Sequence, residues 1–503
     1  MRLSFIFFLT LFCSLSARSE TFYVSGSGDN SHNGSQPEPW QTLQYAADHT
    51  GPGDTVIVQS GDYSGFYTDV SGTADDPIVF KATEGAVITT KNQTTDDAIN
   101  LEGASYVVID GFTITNDHGT IERAGIRSVV NTGAVIRNNT ITGMGTWGIF
   151  TGFSESVTIE NNSCSFSVDE HGIYHSNSAD NPVIRGNICF SNHGNGIHMN
   201  GDISMGGDGI ISNATIAANI IYDNGRGGGS GINCDGVQNS VIKNNLLYNN
   251  HASGISLYKI DGAEGSTGNT VVNNTIVMPS DGRWAININS GSTENTIRNN
   301  ILFSYHSFRG GLSLDESSFP GTVSDYNVMV DRLSPDWGDT GMTLSEWQSE
   351  FGLDLHSIVS APGQNFRDPE NNDYHLLENA DARDNGTGES APLYDLDGYP
   401  RPEGEDYDAG AYEYRHITGT EIPADAKRKM FLFPNPAIDR FTVKAERDID
   451  KIEIISTEGK IIRSIQVDHH KSAEIPVSGI EKGLVFIRVH AGNEIYVSHL
   501  LVL

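Results

Sequence analysis

A four-residue phrase, Gly-Ile-x-x, returns along the middle of this chain at a nearly constant interval. It reads Gly125-Ile126-Arg127-Ser128, Gly148-Ile149-Phe150-Thr151, Gly172-Ile173-Tyr174-His175, Gly196-Ile197-His198-Met199, Gly231-Ile232-Asn233-Cys234 and Gly254-Ile255-Ser256-Leu257. Looser copies stand at Ala98-Ile99-Asn100-Leu101, Ala285-Ile286-Asn287-Ile288 and Gly311-Leu312-Ser313-Leu314. Between them runs a second phrase, Val/Thr-Ile-x-Asn-Asn, whose last residue falls at Asn139, Asn162, Asn187, Asn219, Asn245, Asn274 and Asn300. A repeat mostly in the twenties, with strand-like content, predicts a coil of stacked β rungs.

In such a coil each short strand pairs with its copy in the next rung, which satisfies the backbone groups between rungs. Side chains alternate along a strand, so the Ile of each phrase and the residue two later point inward. The inward column is then Ser128, Thr151, His175, Met199, Cys234, Leu257, Ile288 and Leu314, mostly apolar or small. On this register His175 is a hydrogen-bonded core residue. The Asn column belongs at a tight turn, where the residue is left-handed or its side chain bonds the backbone. Stacked amides can also bond one another from rung to rung. Cys164 and Cys189 each follow their Asn by two residues, which puts them in register on adjacent rungs, either bonded or reduced.

The pattern resembles the right-handed parallel β-helix of secreted polysaccharide-active proteins, the pectate-lyase-like superfamily. The opening Phe22-Tyr23-Val24-Ser25-Gly26-Ser27-Gly28-Asp29, with Trp40-Gln41-Thr42-Leu43-Gln44 and Gly53-Asp54-Thr55-Val56, is similar to that family's capping start. Residues 40–48 are expected to form a short amphipathic helix closing the first rung. Asp395-Leu396-Asp397-Gly398-Tyr399-Pro400-Arg401-Pro402 and Gly410-Ala411-Tyr412-Glu413 resemble its closing segment. The resemblance implies an all-β chain, a right-handed parallel β-helix followed by a small C-terminal β-sandwich. It does not choose an activity, because one fold hosts many chemistries.

The two ends divide the chain further. Residues 1–20 read as a secretory signal peptide: Arg2, an apolar run from Leu3 to Leu15, then Ala17-Arg18-Ser19 as a small-x-small cleavage site. That run is too short to span a membrane, and no other stretch approaches the length needed. Charge marks the next boundary. The chain carries −33; residues 421–503 hold twelve Lys/Arg and twelve Asp/Glu, and residues 1–20 carry +1, so residues 21–420 carry −34. So abrupt a shift separates two modules. The expected order is a β-helix over 21–416, a linker over 417–427 and a sandwich over 428–503. Phe433-Pro434-Asn435-Pro436, Gly459-Lys460 and Ile480-Glu481-Lys482-Gly483-Leu484 resemble the C-terminal sorting domain of the Bacteroidetes type IX secretion system. That resemblance implies a secreted or cell-surface protein whose tail is an export address read by the secretion machinery, without a catalytic role.

Rung length points to a site, because insertions in a solenoid become loops on one face. From each Gly-Ile phrase to the next Val/Thr-Ile phrase most rungs take ten or eleven residues, but 196 to 215 takes nineteen and 254 to 270 takes sixteen. Both loops should leave one corner and wall a groove beside the rung of Gly231. Outward there lie Tyr174, Ser176, His198, Asn200, Asn233, Asp235, Ser256 and Tyr258, with Asp202, Asp208, Lys259 and Asp261 at the rims and His171 close by. Aromatic rings with amides suit a sugar chain. The leading expectation is a polysaccharide lyase that cleaves a uronate-containing glycan by β-elimination. In that reading Lys259 or His198 is the base and Tyr174 or Tyr258 the acid. Arg127, Asn233, or a Ca²⁺ held by Asp202, Asp208 and Asp235, neutralises the carboxylate, and Asn200 and His171 bind substrate. Alternatives on the same groove are a glycoside hydrolase pairing Asp202 or Asp208 with Asp235, a C5-epimerase, or a non-catalytic glycan-binding protein. A domain at −34 repels polyanions unless the groove is locally basic, and Arg123, Arg127, Lys259, Arg283 and Arg309 fall on or beside the Gly-Ile sheet. No nucleic-acid partner is expected, and the chain is read as a monomer. Gly225-Arg226-Gly227-Gly228-Gly229 lacks the strand-to-helix context of a phosphate cradle.

Overall fold

The computed structural model describes residues 19–338, 340–415, 430–433, 440–456, 460–480, 483–492 and 494–502. The expected leader lies outside these apart from Ser19 and Glu20, as do the linker 417–427 and the resemblance residues Pro434, Asn435, Pro436, Gly459, Glu481 and Lys482. Two compact units divide at Arg415 and His416.

The first unit is a parallel β-helix of three sheets with twelve, eleven and twelve strands, and each strand pairs with its copy one rung away. The Gly-Ile phrases form the eleven-stranded sheet, in register Ile126↔Ile149↔Ile173↔Ile197↔Ile232↔Ile255↔Ile286. The eight residues of the expected inward column are all fully buried. His175 sits among them, with Nδ1 2.8 Å from Thr151 Oγ1 and Nε2 2.9 Å from the Ala179 carbonyl. The glycine of the phrase stands inside a corner: a Cβ at Gly196 would lie 2.4 Å from Ile221, and one at Gly254 2.5 Å from Ile276. Close packing, more than a need for a special φ, therefore accounts for that part of the repeat.

The Asn column holds the corner between the two twelve-stranded sheets. Asn219 Oδ1 accepts from the backbone N–H of Asn187 (2.9 Å) and from its Nδ2 (3.1 Å), while Asn219 Nδ2 donates to the Ile184 carbonyl (3.0 Å) and to Asn245 Oδ1 (2.9 Å). The same set repeats from Asn139 to Asn300 and on to Asn327. The left-handed residue of the turn is the one before the ladder: Asn138, Asn161, Gly186, Ala218, Asn244, Asn273, Asn299 and Tyr326 all have φ between 53° and 66°. Turn geometry and amide stacking thus fall to neighbouring positions. A second, shorter ladder runs through Asn192, Asn224 and Asn250. Cys164 and Cys189 face each other in register as free, buried thiols.

Each end of the coil is plugged. The helix Leu43–His49, capped by Thr42, buries Leu43, Ala46 and Ala47. It begins later than the expected residue 40 because Trp40 is drawn into a bridge with Val24. At the far end the helix Leu344–Phe351, with a Thr343/Glu346 capping box, buries Leu344 and Trp347. Such plugs cover strand edges that would otherwise pair with other chains.

The closing segment folds back over the third sheet, where Phe366, Tyr374, Leu376, Ala409, Ala411 and Tyr412 pack on Leu246, Tyr248, Val277, Ile301 and Phe303. Arg401, fully buried, fastens it through Glu413 Oε1 (2.5 Å), the Gly410 carbonyl (2.8 Å) and Asn244 Oδ1 (3.2 Å). His375 lies between Asp373 (2.5 Å) and Asp397 (3.1 Å). Burial disfavours its charged form, but the two carboxylates outweigh it and raise its pKa to about 9. The second unit is antiparallel: the long strand Arg440–Ile455 pairs with Met430–Phe433, Ile461–Pro476 and Gly483–Ala491, which in turn pairs with Glu494–Val502.

Asn219→Ala should strand several buried donors and acceptors at once. At about 1–3 kcal/mol for each unsatisfied group, the denaturation midpoint of the β-helix should fall clearly, and an unchanged midpoint would deny the ladder its role. His375 gives a pH test. Its folded pKa lies above the ordinary value of about 6.5, so its contribution is complete below that pH and drains away as pH rises toward about 9. His375→Gln should flatten that part of the stability profile.

Candidate functional site

The outward face of the Gly-Ile sheet carries one residue per rung, in the order Arg127, Phe150, Tyr174, His198, Asn233, Ser256, Asn287, Ser313 and Ser334. A parallel column holds Ser176, Asn200, Asp235 and Tyr258. The expected residues therefore share one sheet, but they divide into chemically distinct neighbourhoods.

The N-terminal neighbourhood is aromatic. Trp147 and Phe150 approach to 4.6 Å, Phe150 meets Tyr174 edge-on at 5.3 Å, and Tyr174 stacks on His198 at 4.8 Å with 8° between planes. His171 Nδ1 accepts from the Asn195 N–H at 3.1 Å, which leaves its proton on Nε2 to donate to His198 Nδ1 at 3.0 Å. The remaining proton of His198 is then on Nε2, an atom buried without a partner. Burial holds His198 down at about 3 and His171 well below the usual imidazole range. The pair is a neutral relay. Tyr174 OH accepts from Asn200 Nδ2 at 3.1 Å, and burial raises its pKa. Arg127 is ion-paired with Glu102.

The two long loops do leave one corner, but they join there into a single wall. Ile203 N donates to the Asp261 carbonyl (3.0 Å) and Ala263 N to the Gly209 carbonyl (3.0 Å). Asp235 lies beneath, its carboxylate accepting from the N–H groups of Ile260 (2.9 Å), Asp261 (2.8 Å) and Gly262 (3.0 Å). Asp202 caps Ser204, and Asp208 accepts from the Ile210 N–H. Each carboxylate thus shapes its own turn, and among the described residues no three His, Cys, Asp or Glu side chains are grouped to hold a metal. This donor set does not fit Ca²⁺. Lys259 Nζ bonds the Ala263 carbonyl of its own loop at 2.5 Å.

Toward the C-terminal rungs the sheet opens into a groove of about 390 Å³. Its floor is Asn233, Ser256 and Asn287; Tyr258 and Ile260 stand on one margin, Arg283 and Trp284 on the other, and Arg309 and Trp337 complete it. Among the described residues no Asp, Glu, Lys or His lines it. Neither guanidinium has an ion pair or hydrogen bond among the described residues, although the chain as a whole is strongly acidic. Tyr258 OH accepts from Asn233 Nδ2 at 2.8 Å, so its own proton is free to donate. Burial, helped by Asp235, raises its pKa and keeps it protonated.

Sequence reasoning places Asn233 and Tyr258 in this groove and Arg283 and Arg309 beside it. It passes over Trp284, Asn287, Ile260 and Trp337. One signal was readable: Arg123, Arg283 and Arg309 each precede the first residue of a Gly-Ile copy by two. Arg123 is spent on Asp97, and the other two are not.

Residues 78–202 match the family described as a right handed beta helix region, and residues 431–503 match the secretion system C-terminal sorting domain. The latter marks the chain for secretion or the cell surface. Among the described residues no helix is long and apolar enough to cross a membrane. Comparison with curated proteins finds no match. The chain is similar in structure to pectate lyase Pel9A, at 16% identity and TM-score 0.56 over 79% of this chain and 97% of that one. It is also similar to XylC in its complex with xylose, at 11% identity and TM-score 0.51 over 78% and 99%. At such identities the likeness shows the right-handed parallel β-helix itself.

The relay yields a spectroscopic expectation. Nitrogen-detected imidazole spectra should show His198 neutral and protonated on Nε2 between about pH 5 and 8, and an imidazolium signal in that range would refute the assignment.

Proposed function

We propose that this secreted protein takes an acidic polysaccharide, a uronate-containing glycan, in the groove floored by Asn233, Ser256 and Asn287. One observation carries the reading: two unpaired guanidinium groups line a groove that is free of carboxylates among its described residues, in a domain whose net charge would otherwise repel a polyanion. Guanidinium matches carboxylate geometry with paired hydrogen bonds. Trp284, Trp337 and Ile260 add apolar surface for sugar faces, and the amides of Asn233 and Asn287 suit hydroxyl groups.

The reaction that fits these groups best is β-elimination. Arg283 and Arg309 would neutralise the uronate carboxylate so that the adjacent C–H becomes acidic. The phenol of Tyr258, held protonated, would give its proton to the leaving oxygen. The base would be the free amine of Lys259, adjacent in sequence, after its ammonium has lost a proton to solvent and left the Ala263 carbonyl. Paired-carboxylate hydrolysis lacks its carboxylates among the described residues of this groove. A second reading, glycan binding without turnover, is favoured because the described lining groups include no imidazole or amine.

Incubating the protein with uronate and neutral polysaccharides separates these readings. Ultraviolet absorbance from a new unsaturated uronate is the expected result. Retention in an affinity gel without product would give the binding reading, and retention only of neutral glycans would overturn both. Arg283→Ala and Arg309→Ala should each weaken binding of acidic glycan by about tenfold or more, at about 1.5–3 kcal/mol per charged hydrogen bond, with the deficit shrinking at high salt. Tyr258→Phe should retain binding but cut turnover by about 10²–10⁴.

A further inference from the structure

The outward column of the Gly-Ile sheet is partly exposed at Phe150, Tyr174, His198 and Asn287 and keeps a little exposure at the buried Asn233 (7%) and Ser256 (4%), whereas Ser313 and Ser334, next in the same register, have none. Residues 335–338 and 340 fold back over Ser334. Ser334 Oγ accepts from Gly338 N at 2.8 Å and donates to Asp336 at 2.9 Å, and Asp336 also accepts from Thr340 N at 2.7 Å. The segment starts on the margin where the sheet's strands end and reaches Trp284 on the other margin, where the Gly338 backbone lies so close that a Cβ would come within 2.6 Å of the indole nitrogen. It therefore crosses the sheet. Trp337, at its crest, has φ of 65° and is 62% exposed, lines the groove, and stacks on no other ring among the described residues. A bulky residue at positive φ needs surroundings that hold it there, and the hydrogen bonds of Asp336 and Ser334 do so.

A polymer lying along the rungs would meet this crossing after Asn287. The groove floor covers three rungs, about 14 Å at about 4.8 Å per rung, which is short for a chain passing through. Resting on the acidic-glycan reading above, we infer that the groove is blind at its C-terminal end and receives the terminus of a glycan chain rather than its interior. Trp337 then faces the last sugar as a positioning residue, and Arg283 and Arg309 hold the carboxylates of the terminal units. If the protein turns its substrate over, it works inward from one end.

The test titrates the full-length protein with one uronate polymer, intact and cut to several defined lengths. Binding capacity should rise in proportion to the number of chain ends, not to the mass of glycan. A bulky fluorophore on one terminus should weaken binding by about tenfold or more, and the same fluorophore on the other terminus should leave it unchanged. Trp337→Ala should weaken binding of end-free oligomers about tenfold. Replacing residues 335–340 by a short glycine turn should open the groove and make capacity follow mass. Wild-type capacity that follows mass at every length, or indifference to a label at either end, would overturn the inference while leaving the acidic-glycan reading intact. Failure of every length to bind would defeat that reading, and this inference with it.

Discussion

The structure depends on hydrogen bonds that run along the coil. A solenoid rung has no core of its own worth the name and cannot bury its apolar face alone. It becomes stable when its neighbour's backbone and side chains complete it. The Asn ladder makes that dependence specific. Each amide satisfies a backbone carbonyl, a backbone N–H and its own copies above and below, all in a buried corner where an unpaired group is expensive. A rung displaced by one residue would leave every one of these groups unpaired, so the ladder fixes register as well as adding stability.

Register in turn builds the candidate site. Because the Gly-Ile strands are locked in step, residues separated by twenty-odd positions in the chain become neighbours about one strand spacing apart. Asn233, Ser256 and Asn287 form a floor of small polar groups only because they occupy the same place in successive rungs. The bulkier Tyr174 and His198 occupy that place earlier. The same scaffold thus supports a packed aromatic neighbourhood and an open cationic groove side by side, and the difference lies in what each rung puts at one position.

Much of this architecture was legible beforehand. The repeat gave the rungs, the alternation gave the inward column, and the two lengthened turns gave the corner from which loops emerge. The reasons for the repeat were less legible: Gly is there for want of room against Ile221 or Ile276, and the left-handed turn residue precedes the ladder Asn. Asn327 escaped notice because its rung reads Asp325-Tyr326-Asn327, without the doubled Asn. The site was harder. Whether Arg283 is free or Arg123 is bound depends on where packing puts Asp97. Whether Asp235 faces a ligand or holds a loop depends on three amides from residues 260–262. Trp337 comes from beyond the last clear copy of the phrase and reaches the groove through a segment with no periodicity.

The cysteines carry a last consequence. Cys164, Cys189 and Cys234 are buried thiols, and no covalent cross-link braces the described part of the coil. Exported proteins often rely on such cross-links and so on an oxidant to form them. Here the sulfur atoms are buried away from solvent, and the hydrogen bond with Cys189, helped by burial, holds the Cys164 thiol away from the reactive thiolate form, as burial does the Cys234 thiol. The protein should therefore keep the same shape in an anoxic medium as in an aerated one.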